Sequence, residues 1–154
     1  VAPRWITTLI VVIGAAAALM ILWCGAERCK HRCRGQQPPP PPALVIGNGT
    51  YIGQVFSPLD WARHDRSKAA PLFNEWGYEV VDEFDVEKRR FLTRLDNFVA
   101  EVKRKVRQAP GRLLVPILFF SGHGFEDRGQ QFLVPTSATT YDAADSFVEL
   151  SDIL

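Results

Sequence analysis

Between Pro116 and Gly124 the chain reads Pro-Ile-Leu-Phe-Phe-Ser-Gly-His-Gly, an apolar run that stops at a histidine flanked by glycines. The bulky apolar residues predict a buried strand over 113–120. In open α/β sheets the reactive groups lie just beyond the carboxyl ends of such strands, which is where His123 falls. Glycines on both sides allow a sharp turn and let backbone amides approach a substrate closely. An ordinary strand-to-loop turn would give the same local pattern, so the rest of the chain has to distinguish the two.

Strands and amphipathic helices alternate around this run. Short apolar stretches predict strands over 43–48, 78–81 and 131–135. Together with two helices, this alternation predicts an α/β fold in three layers, built on a mostly parallel, doubly wound sheet.

The two predicted helices have apolar residues at helical spacing. The first covers 59–76 and is closed by Gly77, whereas the second is capped by Asp85 and ended by Pro110. Pro71 removes a backbone donor from the first helix, as Pro116 does from the strand before His123. The expected core positions are Leu59, Ala62, Ala69, Leu72, Phe73, Trp76, Phe91, Leu92, Leu95, Phe98, Val99, Val102 and Val106.

A different kind of segment precedes this domain. Residues 5–23 are an uncharged run with a tryptophan at each end, and as a helix they would span about 28 Å, close to the hydrocarbon thickness of a bilayer. We interpret the run as a transmembrane helix. A secretory signal peptide is the alternative, but its apolar core usually spans about 7–15 residues.

The segment after this run is basic and contains all three cysteines of the chain. Because four basic residues of 28–34 follow the run, whereas only Arg4 precedes it, the positive-inside rule predicts a non-cytosolic tail (1–4) and a cytosolic domain (43–154). Cys24, Cys29 and Cys33 suit S-palmitoylation, with unmodified thiols or a zinc site that includes His31 as alternatives. Residues 38–42 are five prolines, which predict a stiff spacer and complete a linker over 24–42.

Charge excludes one class of partner. Residues 44–154 contain 13 Lys and Arg against 16 Asp and Glu, a net charge of −3, with no basic face interleaved with aromatic residues. We therefore expect no binding of nucleic acid. A phosphate-binding domain is only a weak alternative. Gly47-Asn48-Gly49 has neither the dinucleotide-binding glycine spacing nor the lysine of a P-loop.

Several blocks in order resemble the caspase-like cysteine peptidases, and the paracaspase and metacaspase branches in particular. The resemblance covers residues 43–154 and includes Ser121-Gly122-His123-Gly124-Phe125-Glu126 and the later Gln131-Phe132-Leu133-Val134-Pro135. It leaves the apolar amino-terminal run unexplained. The other blocks are residues 43–51, 58–65 and 76–80.

The resemblance implies roles for three residues. His123 would be the catalytic histidine, the Gly124 amide would help to form the oxyanion hole, and Asp65 would line the pocket for the residue before the cleaved bond. An acid in that pocket predicts cleavage after Arg or Lys. A solvent-exposed acid early in a helix is the alternative interpretation of Asp65. No cofactor or metal is implied, the substrate is a polypeptide, and dimerisation through a carboxyl-terminal half is possible.

The resemblance places the nucleophilic cysteine roughly 50 residues after the histidine, near position ~173 and beyond Leu154. Cys24, Cys29 and Cys33 are upstream of the domain and cannot be assigned that role. The expected function is a membrane-anchored cysteine endopeptidase of which this chain is a fragment, inactive by itself. The alternative is a catalytically inactive homologue that acts as an interaction or regulatory module at a membrane.

Overall fold

The computed structural model describes residues 4–12, 39–140 and 146–152. Three parallel strands form the centre of the sheet, with β2 (Pro42–Gly47) lying between β3 (Glu79–Phe84) and β4 (Ile117–Asp127). Their carboxyl ends meet at one end of the sheet. The three strands predicted before the histidine are present, although the third begins at Ile117 rather than at Leu113.

The remaining strands are antiparallel. β5 (Gln130–Leu133) pairs with the distal half of β4, and β6 (Val148–Glu149) pairs with β5. The order is β3-β2-β4-β5-β6, and the 3-10 helix Leu150–Asp152 follows. The sheet is therefore mixed, and the prediction of a mostly parallel sheet holds only for its centre. The reason is the turn at Arg128 and Gly129, both with positive φ, which reverses the chain directly after β4.

The two helices, α1 (Asp60–Glu75) and α2 (Lys88–Gln108), cover opposite faces of the sheet. Since successive strand residues point to opposite faces, the alternating residues of β2 and β4 are shared between two cores, and the predicted three layers are confirmed. The core on the α1 face comprises Ala43, Val45, Ala69, Ala70, Phe73, Ile117 and Phe119, and that on the α2 face includes Leu44, Ile46, Phe91, Leu95, Phe98, Leu118 and Phe120.

Four expected core residues lie at the surface instead. Leu72, Trp76, Leu92 and Val106 are at least 37% exposed. A sheet covers only one stripe of each helix, and these four residues lie beside that stripe, where the helical pattern alone does not separate its centre from its margin.

Asp85 does not cap α2, contrary to the prediction. It adopts a left-handed φ of 52°, and its Oδ1 accepts hydrogen bonds from the backbone amides of Gly49 (2.8 Å) and Thr50 (2.9 Å). The residue at the helix N-cap is Glu87, which makes no side-chain capping bond. The Asp85 carboxylate, which was predicted to cap α2, is thus hydrogen-bonded to two amides of the loop after β2.

The amino-terminal apolar run also departs from the prediction. Arg4–Val12 form strand β1, antiparallel to β4 from Arg4 opposite Glu126 to Val12 opposite Ile117. Residues 5–12 therefore belong to a strand in this structure, which does not support the predicted transmembrane helix, and residues 13–23 lie outside the described residues. The run is rich in β-branched residues, and the edge of β4 offers backbone groups to pair with. No helix among the described residues has the length and hydrophobicity needed to cross a membrane.

Leu118 tests the packing of the central strand. Its side chain is fully buried in the α2 core, so Leu118→Ala should lower the free energy of unfolding by about 2–5 kcal/mol. Leu113→Ala is the matched control, because Leu113 is 72% exposed and should change stability by less than about 0.5 kcal/mol. Equal effects in urea titrations would contradict the described packing.

Candidate active site

His123 lies where β4 changes its neighbour along one edge. Pairing with β2 ends at Ser121, and pairing with β5 begins at Gly124. The Ser121 carbonyl accepts the Asn48 amide at 2.8 Å, and the His123 carbonyl accepts the Val134 amide at 3.0 Å. The histidine therefore lies just beyond the parallel centre of the sheet, as predicted, but within a strand that runs on to Asp127 rather than in a turn.

The histidine ring is oriented by the loop after β2. Its Nε2 lies 2.8 Å from the carbonyl oxygen of Ser57. Because a carbonyl oxygen only accepts, Nε2 carries the proton, and the lone pair of the neutral ring is on Nδ1. Ser57 precedes Pro58, which restricts Ser57 to extended conformations and so helps to fix the direction of this carbonyl. The hydrogen bond to Ser57 therefore favours the His123 tautomer in which Nδ1 is the basic atom.

Two aromatic rings flank the imidazole. The ring centroids of Tyr51 and Phe56 lie 5.0 and 5.7 Å from that of His123. The Tyr51 hydroxyl accepts the His123 amide (2.9 Å) and donates to the Asn48 carbonyl (3.1 Å). Burial raises the pKa of Tyr51 above its ordinary value, so the phenol stays neutral and keeps the proton that it donates. Tyr51 therefore ties the histidine backbone to the end of β2.

The Asn48 side chain connects three segments at this edge. It is fully buried, and its Oδ1 accepts the Val86 amide at 2.8 Å. Its Nδ2 donates to the Val134 carbonyl at 3.2 Å. These bonds join the loop after β2, the segment between β3 and α2, and the segment after β5. A buried amide with satisfied hydrogen bonds specifies one arrangement of these segments.

Asp65 lies on the same face of the sheet as His123. Residues 117 and 119 of β4 pack against α1, and because side chains alternate, Ser121 and His123 point to that face too. Asp65 is half-buried in the first turns of α1, and its Oδ2 accepts a hydrogen bond from the fully buried Ser121 hydroxyl at 2.8 Å. The neighbouring cation, Arg66, forms an ion pair with Asp82 instead, with nitrogen–oxygen distances of 2.5 and 2.6 Å.

The two glycines beside the histidine do not form a turn, and Gly122 is required by close packing. Neither has a positive φ, so the expected turn is not formed. A Cβ on Gly122 would lie 2.6 Å from a ring carbon of Phe120 and 3.0 Å from the Tyr51 hydroxyl, which explains why this position has no side chain. Since the His123 amide points toward Tyr51, the Gly124 amide points to the opposite edge of β4, where β1 pairs Ile6 with Gly124.

The predictions for the cysteine-containing segment are not tested by the structure. Cys24, Cys29, Cys33 and His31 lie outside the described residues, so acylation and the zinc alternative stay predictions. In the part of the chain that the structure describes, no three side chains of His, Cys, Asp or Glu lie close enough to hold a metal ion.

Sequence reasoning assigned no role to Asn48, Tyr51, Phe56, Ser57 and Ser121. Only Asn48 stood out in the sequence, as a polar residue at the end of a buried strand and directly before a glycine. A tyrosine and a phenylalanine in a loop look like ordinary core residues, and Ser57 acts through its backbone, which its side chain does not reveal.

A comparison with protein families identifies the family of this domain. The sequence profile of the caspase domain, a peptidase family, matches residues 42–153. The chain belongs to the caspase family. The match begins at the first residue of β2 and continues through His123 to the 3-10 helix, so it covers the whole described domain apart from its first residues. A search of curated proteins found no match.

Membership of the caspase family supports cysteine-peptidase chemistry at the family level. The caspase domain indicates, at the level of the family, a cysteine peptidase that acts on polypeptides. The arrangement around His123 is suited to that reaction, because a neutral imidazole with its Nε2 proton fixed can accept a thiol proton at Nδ1.

Tyr51→Phe tests the bond that holds the histidine backbone. Loss of the hydroxyl should lower the free energy of unfolding by about 1–3 kcal/mol at pH 8, because a buried amide and a buried carbonyl lose their partner. Because the pKa of folded Tyr51 is raised above that of the unfolded chain, the neutral phenol contributes stability below about pH 10 and loses it above that pH.

The difference between wild type and Tyr51→Phe should therefore shrink between about pH 9 and pH 11 in urea titrations. A difference that stays constant over this range would contradict the burial of the phenol.

Proposed function

We propose that this chain belongs to a membrane-anchored cysteine endopeptidase that cleaves after Arg or Lys. In this proposal His123 is the general base and a cysteine following Leu154 is the nucleophile. The observation that carries the proposal is the hydrogen bond from His123 Nε2 to the Ser57 carbonyl, which leaves Nδ1 as the basic atom within a caspase domain.

The proposed reaction uses His123 twice. Nδ1 takes the proton of the thiol as the sulfur attacks the scissile carbonyl, and the resulting imidazolium gives that proton to the leaving amine. Water then hydrolyses the thioester with His123 again as the base. No acidic side chain is needed to orient the ring, because the Ser57 carbonyl holds Nε2–H throughout.

Asp65 is proposed to determine the preference for a basic residue before the cleaved bond. The Ser121 hydroxyl fixes one carboxylate oxygen, and the competing cation Arg66 is paired with Asp82. Asp65 thus keeps its charge available for an incoming guanidinium or ammonium group. Half-burial strengthens such a pair relative to one in open solvent.

The oxyanion role of Gly124 requires access to the outer edge of β4. β1 lies along that edge, with Ile6 opposite Gly124. A helix over 5–23 in a bilayer and a strand over 4–12 on β4 exclude each other, because they use the same residues. Membrane anchoring would therefore also uncover the edge to which the Gly124 amide points.

Membrane anchoring itself rests on the sequence. An uncharged run of 19 residues is long enough to span a bilayer, and a lipid environment favours a helix because every backbone group then pairs within the segment. The basic residues of 28–34 place the peptidase domain in the cytosol in this proposal.

Substitutions in the full-length natural gene product test the catalytic proposal. His123→Ala should lower kcat by at least about a thousandfold on a peptide with Arg before the cleaved bond. Asp65→Asn should lower kcat/KM for that peptide by about 100-fold, because a partly buried ion pair loses one partner. Asp60→Asn is the matched control, since Asp60 is an exposed acid in the first turn of the same helix and should leave kcat/KM unchanged.

Two results would contradict the proposal separately. Full activity of His123→Ala would exclude His123 as the base. Equal losses for Asp65→Asn on peptides with Arg and with a neutral residue at that position would show a general structural defect rather than recognition of a cation.

A further inference from the structure

One end of the domain carries a concentration of positive charge that catalysis does not use. Residues 103–115 contain five basic residues and no acidic one, although residues 44–154 as a whole have a net charge of −3. The segment covers the last turns of α2 and the loop before β4. It lies at the amino ends of the parallel strands, and His123 lies beyond their carboxyl ends.

Exposed apolar side chains accompany these charges. Leu113 is 72% exposed and Val106 is 50% exposed, and Leu113 is the most exposed large apolar residue of 39–140. Both line an open groove of about 480 Å³ together with Arg112. Lys103 and Arg107 are exposed on the same stretch of α2, three residues before and one residue after Val106. We call Lys103, Val106, Arg107, Arg112 and Leu113 the linker-side surface.

The proline linker enters the domain at this surface. Pro39 and Pro41 line the same groove, and the Pro40 carbonyl accepts a hydrogen bond from Lys105 Nζ at 2.5 Å. Lys105 is 1% exposed and also pairs with Glu79 at the start of β3. The end of the linker is thus fastened to the domain, and the chain arrives from this side.

The acids near the surface are already neutralised. Glu79 pairs with Lys105, and Glu101 pairs with Arg104 and with Lys105. The positive charges of Lys103, Arg107 and Arg112 therefore face solvent without a nearby compensating carboxylate on α2 or at the start of β3. Basic residues interspersed with protruding apolar side chains are the composition that binds anionic lipid surfaces.

We infer that the linker-side surface docks on an anionic membrane, with its basic residues at the phosphate level and Leu113 inserted among the headgroups. This inference rests on the proposed membrane anchoring. The 15 residues between Trp23 and Pro39 would span about 20 Å as a coil, so the anchor keeps this surface within reach of the bilayer. The His123 edge then faces away from the membrane, open to polypeptide substrates.

Limited trypsin digestion of the full chain on vesicles tests this inference. Cleavage after Arg112, in the exposed loop of the surface, should slow at least about tenfold on vesicles containing phosphatidylserine compared with purely zwitterionic vesicles. Cleavage after Arg128, in the exposed turn at the opposite end, is the internal control and should not change. Protection should be lost at about 1 M salt, where the Debye length falls to about 3 Å.

Paired charge reversals isolate the surface from the anchor. Lys103→Glu combined with Arg107→Glu should abolish protection after Arg112. Lys68→Glu combined with Arg89→Glu makes the same change in net charge at exposed positions outside the surface and should preserve protection.

Flotation with the vesicles separates this inference from the anchoring proposal. A chain that floats with both kinds of vesicle but gains no protection after Arg112 keeps its anchor and overturns the docking inference. Equal protection on both kinds of vesicle would also overturn it, because charge would then not be the recognised feature. Failure to float with either would remove the anchoring proposal and this inference together.

Discussion

The candidate site depends on the buried side chain of Asn48. This one amide bonds to the Val86 amide and to the Val134 carbonyl, and the Asn48 backbone pairs with Ser121. The loop that follows carries Ser57 and Tyr51, which hold the ring and the backbone of His123. A buried amide without partners would cost about 1–3 kcal/mol for each lost bond, so the three segments hold each other in one arrangement.

Strand and loop have separate tasks in positioning the histidine. β4 sets its location and the face to which its side chain points, since residue 123 continues the series that packs against α1. The loop after β2 sets the tautomer through Ser57 and the backbone position through Tyr51. The same strand holds Asp65 through Ser121, so the proposed base and the proposed specificity residue are both positioned by β4.

Hydrophobic periodicity was sufficient to predict the central strands and both helices, because burial on two faces of a sheet imposes patterns of period 2 and 3.6. It did not predict that β4 continues through Ser121-Gly122-His123-Gly124, because polar residues and glycines rarely form strand interiors, and it is pairing with β1 and β5 that keeps this segment extended. Asp85 was misassigned for a similar reason: a short acid before a helix fits a cap, whereas its real partners, Gly49 and Thr50, are distant in sequence.

Residues 4–12 illustrate a limit of a different kind. An apolar run rich in β-branched residues suits a helix in lipid and a strand in water, and the environment rather than the sequence decides between them. Resemblance and profile agreed on the domain because several blocks lie in the same order along the fold. The contacts of His123 with the Tyr51 hydroxyl and the Ser57 carbonyl could not be predicted from the sequence, because these residues are more than 60 positions apart.

The basic surface and the candidate site lie at different ends of the domain. The basic linker-side surface and the end of the sheet that carries Asp65 and His123 lie at opposite ends of the parallel strands. In the proposals above, a cationic polypeptide binds at the end that carries Asp65, and an anionic membrane binds at the basic end.

The most direct test of a cysteine peptidase at this site is covalent trapping. The full-length gene product is treated with an arginine-ended peptide that carries a thiol-reactive acyloxymethyl ketone, and the modified residue is located by mass spectrometry. The account predicts labelling of one cysteine that follows Leu154, with no labelling of Cys24, Cys29 or Cys33 and none in His123→Ala. Labelling that is unchanged in His123→Ala, or that occurs only at the three amino-terminal cysteines, would contradict it.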